Sequence, residues 1–572
     1  MTLRFLSILA LAAPLYIAPA PSAQADEAAG AYLAARQARY ENNYAEAVSY
    51  LTRALAADPS NPDILEATVT AMLALGRLET ALPIAQRMEE GGLRSQIPQM
   101  VLLADQAKQE DYTGVLERIA DNRGIGPLAD GLIAAWATLG TGDMAQALTL
   151  FDAVAAEPGL RSFAIYHKAL ALASVGDFES ADRIYSGETD GPMQVTRRGI
   201  ISWAEVLSQL ERNEEAIVVI DDTFGTGLDP QLQDLRAKLE AGETVSYTRI
   251  PSARDGIAEV LHSLGRALIQ ETGPEYVLFY TRTAEYLDET HIDAQIMSAQ
   301  LLDELERYDL ATEAYRRVPR DHPAFHSAEL GRAEALRRSG KLDTAAEVLE
   351  NLRVSHPDLA LVHATAGDLY RQLEDWDKAI TAYDRALELY QAQENDQWFV
   401  HYARAIAHER KGDWPPAEAD FRAALELNPE QPQVLNYLGY SLVEKQLKLD
   451  EALDMIERAV AAEPNSGYIV DSLGWVLYRL GRYEEAIVHM ERAAELLPVD
   501  PVVNDHLGDV LWSVGRFIEA EFQWNRALSF VDEDNPSPDV DPERMRRKLE
   551  VGLDQVLEEE GAPPLRTAEE EG

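Results

Sequence analysis

Residues 467–500 read GYIVDSLGWVLYRLGRYEEAIVHMERAAELLPVD, and their apolar positions predict two helices joined by a tight turn. Leu473 and Gly474 belong to the first helix, Gly481-Arg482-Tyr483 turns the chain, and Ala486, Met490 and Ala493 pack the second. Pro498 stands where that helix must stop. The design returns in 501–534 with Leu507, Gly508, Ala520, Trp524 and Ala527. It returns again in 432–466 with Leu438, Gly439, Ala452, Ile456, Ala459 and Pro464. Fainter copies carry Tyr383 and Ala386, then Phe421, Ala424 and Pro429, then Tyr315 and Pro323, then Leu51, Ala54 and Pro59.

One small residue per unit acts as a ruler. The first series is Ala47, Ala81, Val115, Ala147, Ala181 and Ala216, with steps of 34, 34, 32, 34 and 35. The second is Val277, Ala311, Ala345, Ala379, Ala417, Ala452, Ala486 and Ala520, with steps of 34, 34, 34, 38, 35, 34 and 34. A fixed period of this length marks stacked helical hairpins, each burying its apolar face only against its neighbours. The second helix of a pair must approach the first closely, so a bulky residue there overpacks the seam at a cost of about 1–3 kcal/mol.

The step from Ala216 to Val277 is 61 and fits no single repeat. Gly225, Gly227, Pro230, Gly242, Pro251 and Gly256 punctuate it, Thr244 to Pro251 reads as extended, and Leu232, Leu235 and Leu239 predict a short helix. This interval is expected to be a junction, either a plain hinge or a partner-binding insert. The expected organisation is all-α: a leader over 1–25, a repeat block over 26–223, the junction over 224–256 and a second block over 257–531. An acidic linker and capping helix follow over 532–559, and 560–572 is expected to be disordered. Asp541 and Pro542 open the capping helix, whose apolar line is Met545, Leu549, Leu553 and Val556.

Leu-Gly in the first helix, Ala and a large residue in the second, then Ala and Pro, resemble the tetratricopeptide repeat family over most of residues 30–531. The units around Val115 and Val277 depart from the pattern. The resemblance implies a right-handed α-solenoid of stacked hairpins in two blocks, whose first helices line a concave groove. Carried onto this chain, it makes the last three units present Asn436, Tyr440 and Val443, then Tyr468, Asp471, Trp475 and Tyr478, then Asp505, Asp509 and Trp512. Aromatic rings give contact area at low rotamer entropy, and carboxylates select basic or amide-bearing segments. Some of these rings could instead serve only to pack adjacent repeats. Asp505 and Asp509, one turn apart, are expected to repel each other without a ligand. Extended polypeptide of neutral or basic character is the occupant this groove implies.

The N-terminus reads as an export signal: Arg4, a mostly apolar run from Phe5 to Ala18 broken by Pro14, and Ala23-Gln24-Ala25 before Asp26. The run is too short to span a bilayer, and no later segment reaches the ~20 apolar residues required. The chain has no cysteine, which excludes disulfides, thiolate sites and lipidation of the lipoprotein type. A soluble periplasmic product cleaved after Ala25 is therefore expected. Lys and Arg number 51 against 98 Asp and Glu, a net charge of −47 that losing Arg4 with the leader takes to −48. Such a chain repels phosphate backbones, so no nucleic-acid partner is expected. The basic cluster Arg544, Arg546, Arg547 and Lys548 reads as the solvated face of the terminal helix.

HExxH, GxSxG, GxxxxGK[ST] and GxGxxG are all absent, and Gly124-Ile125-Gly126 has Ala129 where a third glycine would stand. His322 and His326 are separated by the helix-breaking Pro323, and His401 and His408 are seven apart. The run Asp532, Glu533, Asp534, Asp539, Asp541 lacks the central glycine of a calcium loop. No enzyme, cofactor or metal is expected. The stretches LNYLGY (435–440), DSLGW (471–475) and NDHLGDVLW (504–512), with Gln523-Trp524, look like a subgroup of exported proteobacterial repeat proteins. Its members act in the cell envelope as adaptors, some joining a periplasmic carboxyl-terminal processing protease to peptidoglycan hydrolases. The resemblance thus implies a scaffold with protein or peptide partners in the envelope.

Overall fold

A computed structural model describes residues 22–191, 196–225, 228–392, 397–532 and 540–565, with side chains described from residue 29. The leader up to residue 21, Gly227, the acidic run from Glu533 to Asp539 and the tail from residue 566 lie outside the described residues. Among the described residues every regular element is a helix.

The chain divides into two compact units at Leu352 and Arg353. In the first, α1 (Ser22–Tyr40) pairs with α2 (Tyr44–Ala57), α3 (Pro62–Ala74) with α4 (Leu78–Glu90), and α5 (Gln96–Lys108) with α6 (Tyr112–Ala120). Then α7 (Pro127–Gly140) pairs with α8 (Met144–Ala155), α9 (Arg161–Ser174) with α10 (Phe178–Tyr185), and α11 (Arg197–Gln209) with α12 (Asn213–Phe224). A single helix, α13 (Pro230–Glu240), precedes α14 (Ala253–Leu268) with α15 (Pro274–Leu287) and α16 (Ile292–Glu304) with α17 (Tyr308–Arg316). Next come α18 (Phe325–Arg338) and α19 (Leu342–Ser355).

The second unit holds α20 (Ala360–Gln372) with α21 (Trp376–Ala392), α22 (Trp398–Lys411) with α23 (Trp414–Leu427), and α24 (Pro432–Glu444) with α25 (Leu449–Ala462). It continues with α26 (Gly467–Arg479) and α27 (Tyr483–Leu496), then α28 (Pro501–Ser513) and α29 (Phe517–Ser529). It ends with α30 (Pro542–Val551) and α31 (Leu553–Glu560). The apolar line expected for one capping helix is thus divided between two, broken at Gly552 with φ 83°.

Local chemistry sets the helix ends. Proline fills the first position of α3, α24, α28 and α30, where its missing N–H costs nothing. Asp500 caps α28 by accepting from the Val502 and Val503 amides at 2.9 and 3.0 Å. Gly481, at φ 80°, closes the turn between α26 and α27.

All fourteen ruler residues from Ala47 to Ala520 are 0% exposed, which places each in the seam of its pair. The glycine of the first helix answers a large residue in the second. A Cβ on Gly474 would meet Met490, and one on Gly508 would overlap the indole of Trp524. Replacing Ala486 with leucine is expected to cost the second unit about 1–3 kcal/mol by overpacking this seam. Chemical denaturation checks it, and an unchanged midpoint would remove the close-approach argument.

Residues 228–256 lie inside the first unit and are held by α11. The Thr248 amide donates to Glu205 at 3.0 Å, the Val245 amide to Ser208 at 2.8 Å, and the Gln209 side chain to the Val245 carbonyl at 2.6 Å. Leu232, Leu235 and Leu239 of α13 join Ala216 and Ile220 of α12 in one apolar cluster. From there the chain returns across the first helices of the earlier pairs, with α14 against α7 and α9, and α15 against α3 and α5. Gly256 lets α14 settle on the Trp136 ring. Trp136 donates to His167 Nδ1 at 3.2 Å, so His167 carries its proton on Nε2, facing Ser263 at 3.0 Å. The Tyr276 hydroxyl donates to Gln96 at 2.8 Å and that of Tyr286 to Asp105 at 3.1 Å. The inner face of the first unit is therefore occupied by the chain itself.

Candidate functional site

The second unit leaves part of its corresponding face open. Helices α22, α24, α26 and α28 bound a cavity of about 640 Å³. Asn436 and Tyr440 enter it from α24, one turn apart, and Tyr468 and Asp471 from α26. Tyr468 is 61% exposed, and Asp500 lies beside its hydroxyl. The Asn436 Oδ1 atom is buried without a hydrogen-bond partner, an unmet acceptor on a residue that lines the cavity. Glu409, Glu444, Asp471 and Asp500 outnumber Arg410 and Lys445 around the rim, giving an acidic surround. Val443 is buried in the core rather than facing this cavity.

A second cluster forms the cavity's wall. Trp475 stacks on His506 at 3.9 Å and on Tyr478 at 4.8 Å, and its indole N–H donates to Glu444 at 2.9 Å. Tyr478 is buried, and burial together with Asp509 holds its hydroxyl well above the ordinary range. His506 Nδ1 donates to Asp471 at 3.0 Å. Burial works against a charged ring there. The Asp471 carboxylate, with Asp505 and Asp509 behind it, outweighs burial and raises the pKa of His506. These rings hold one another rigidly, which keeps Asp471 in place at the cavity edge.

The last three predicted residues are engaged by the chain's own terminal helices. Lys548 of α30 places its Nζ 2.8 Å from Asp505 and 2.6 Å from Asp509. Asp509 also accepts from the Trp524 indole at 2.9 Å and faces Arg544 at 3.4 Å, while the Trp512 indole donates to Asp554 at 2.9 Å. The expected repulsion between Asp505 and Asp509 is present but compensated within the chain, because an internal ammonium sits between them. The expected solvated face of α30 holds for Arg546 and Arg547 and is corrected for Lys548, whose side chain is 0% exposed. Burial and Asp509 raise the Asp505 pKa, and Lys548 opposes them.

His506 and Glu444 were not among the residues singled out from sequence, and Lys548 was read only as part of the solvated basic cluster. His506 directly follows Asp505, so its position in the Asn-Asp-His-Leu-Gly stretch was a usable signal. Lys548 falls three residues after Met545 and so shares its buried face.

Among the described residues of the first unit, Glu259, His262 and His291 bring metal-ligand atoms close together. His291 Nδ1 accepts the Ala294 amide at 3.1 Å, so its proton lies on Nε2 and points at Glu259, 3.2 Å away. Arg198 at 2.8 Å and the Tyr166 hydroxyl at 3.0 Å take up the same carboxylate. Burial works against charge on Glu259, but Arg198 and His291 outweigh it and hold the group well below its usual range. With its nitrogens committed to an amide and a carboxylate, His291 has no lone pair for a cation, and the cluster works as an ionic tie between α9, α11, α14 and α16.

Family models described as tetratricopeptide repeat match residues 38–90, 296–360, 358–430 and 470–498. Over 159 residues the chain is 29% identical to a TPR repeat-containing protein of Pseudomonas aeruginosa, covering 28% of this chain and 26% of that protein. A stretch of 151 residues is 29% identical to Superkiller complex protein 3 of Homo sapiens, covering 25% of this chain and 9% of that protein. The matches thus span only about a quarter or less of those relatives. Among solved structures, the chain is similar to the APC/C hetero-tetramer Cut9-Hcn1, with 14% identity and a TM-score of 0.38 over 92% of this chain and 96% of that one. Yeast Tom70 gives 15% identity and a TM-score of 0.35 over 94% and 99%.

Proposed function

With tetratricopeptide repeats present in those four stretches as the premise, we propose that the chain is a non-catalytic scaffold that holds a polypeptide in the open cavity of its second unit. Repeats of this kind generally mediate protein–protein contact, and scaffolds built from them are generally non-catalytic. One observation carries the reading: the unpartnered Asn436 acceptor, with Tyr440, Tyr468 and Asp471 around it, opens on a cavity of about 640 Å³. An amide-rich segment with neutral or basic side chains meets both the acceptor and the acidic rim. The first unit has its inner face filled by α14 and α15, which leaves it the role of support.

The place of action we propose is the periplasm, on the strength of the export signal at Arg4 to Ala25. Among the described residues no helix is long and apolar enough to cross a membrane. A narrower form makes the chain an adaptor between a periplasmic carboxyl-terminal processing protease and peptidoglycan hydrolases. It rests on the sequence resemblance of 435–440, 471–475 and 504–512 alone.

A photoreactive residue at Tyr468, introduced into the chain in its native cells, is expected to capture a discrete exported polypeptide. Asn436→Ala with Asp471→Ala should reduce that capture about tenfold or more. No crosslink, or one unaffected by the double variant, removes the groove reading, and a cytosolic partner removes the location. If the captured partner is a protease, the purified scaffold should speed its cleavage of a hydrolase substrate, and an unchanged rate ends the narrower form.

A further inference from the structure

A second cavity, of about 670 Å³, lies in the first unit between the α3–α4 turn and helices α5, α15 and α17. At its wall stands Arg282 of α15, 6% exposed, beneath the turn at Gly76. Its Nη1 reaches the Glu285 carboxylate at 3.1 Å, but its Nε–H is buried with no acceptor. Glu285 is also claimed by Arg317, 2.6 Å away. Two guanidiniums therefore share one carboxylate, in a chain where acids outnumber bases almost two to one.

The other acids of the cavity do not reach Arg282. Glu289 is held by Lys108 at 3.1 Å, Glu313 lies 3.7 Å from Arg316, and Glu79 is exposed at the rim. A buried guanidinium N–H left without an acceptor keeps its full desolvation penalty. Burial, with Arg317 adding to it, lowers the pKa of Arg282 against the pull of Glu285, which registers the same unmet demand. Arg77, Thr80 and Gln295 complete the polar lining, and Leu75, Leu78, Leu310 and Ala314 give an apolar strip, with the Tyr286 ring under the Lys108 ammonium at 4.0 Å. A cavity of this size, with one unmet guanidinium donor beside an apolar strip, can take a small molecule whose charged head and apolar body match the two.

The geometry points to a binding site for a small organic acid, whose carboxylate meets the Arg282 Nε–H and Arg317 and whose apolar body rests on Leu75, Leu78 and Leu310. Guanidinium and carboxylate match as planar forks, so the head group sets orientation and the leucines add contact area. The site is separate from the polypeptide cavity and does not depend on that reading.

The test titrates N-acetyl-L-leucine into the full-length chain by calorimetry at low salt, beside N-acetyl-L-leucinamide and inorganic phosphate. The acid is expected to bind with a Kd of about 0.1–1 mM, and the amide and the phosphate at least about tenfold more weakly. Arg282→Met should abolish binding of the acid. Arg317 is exposed, so Arg317→Ala leaves the fold intact and should weaken binding about tenfold. Equal binding of acid and amide overturns the carboxylate anchor, and phosphate binding as tightly as the acid overturns the apolar wall. No heat up to about 10 mM acid, or wild-type affinity in Arg317→Ala, overturns the site as a whole.

Discussion

Lys548→Met is expected to lower the unfolding free energy of the second unit by about 3–5 kcal/mol, a large effect for a residue that sequence reading placed in solvent. The Lys548 side chain is 0% exposed, and its ammonium bridges Asp505 and Asp509. Methionine keeps the volume and deletes the charge, leaving two carboxylates together with Arg544 and His506 as the nearby basic groups. Removing one member of a buried ionic group costs more than removing the whole group, because the remaining charges stay desolvated. Two further outcomes follow. Adding Asp509→Asn should recover part of the loss, and the deficit should shrink on acidification as Asp505, whose pKa burial raises, takes up a proton. Urea denaturation followed by tryptophan emission checks it, since six of the eight tryptophans, Trp512 and Trp524 among them, lie in the second unit. A change below about 1 kcal/mol would mean that α30 is only loosely seated.

Acidification is expected to weaken the first unit through two fully buried histidines. His167 is fully buried, and burial pulls its pKa to about 4. His262 is pulled to about 3 by burial and by its neighbour His291, against the opposing pull of Glu259. In the unfolded chain both rings titrate near 6.5. Below that pH the unfolded state binds protons that the folded state refuses, so stability falls as the pH drops from 6.5 toward 4 for His167 and toward 3 for His262. Over these windows the loss is about 3 kcal/mol for His167 and about 5 kcal/mol for His262. Glu259 and Asp293, both held below the usual carboxylate range despite burial, extend the loss to lower pH as they protonate. His506 runs the other way: its raised pKa adds stability below about 6.5 that is lost as the pH rises through its folded value. Denaturation of wild type and of His167→Gln between pH 7 and pH 4 checks the sign. The variant should show a shallower fall, and equal slopes would place the titration elsewhere.

The repeat was legible because it follows from local pattern. A small residue every thirty-odd positions is a demand of one helix on its partner, so Ala47 to Ala520 could be found without coordinates, and all are buried. The α13 leucines and the turn at Gly481 were readable for the same reason, since each depends only on neighbours in the chain. The site was harder. Asn436, Tyr440, Tyr468 and Asp471 line the open cavity, but Tyr478 is buried and Asp505, Asp509 and Trp512 are bound internally. Their fate depends on α30 and α31, and nothing in residues 505–512 announces that a lysine some forty positions later will lie between them.

The amino-acid order alone set the helices, their pairing and the period of the stack, because those arise from contacts between successive elements. Tertiary structure decided which faces stay open: α14 and α15 turned back over the first helices of the earlier pairs, and α30 closed the end of the second unit. That choice rests on long-range burial of charge. Glu259 against Arg198 and Lys548 against Asp505 and Asp509 are worth forming only where packing has already excluded water. A one-dimensional pattern records which residues are charged, while the solvent around them exists only once the chain has folded.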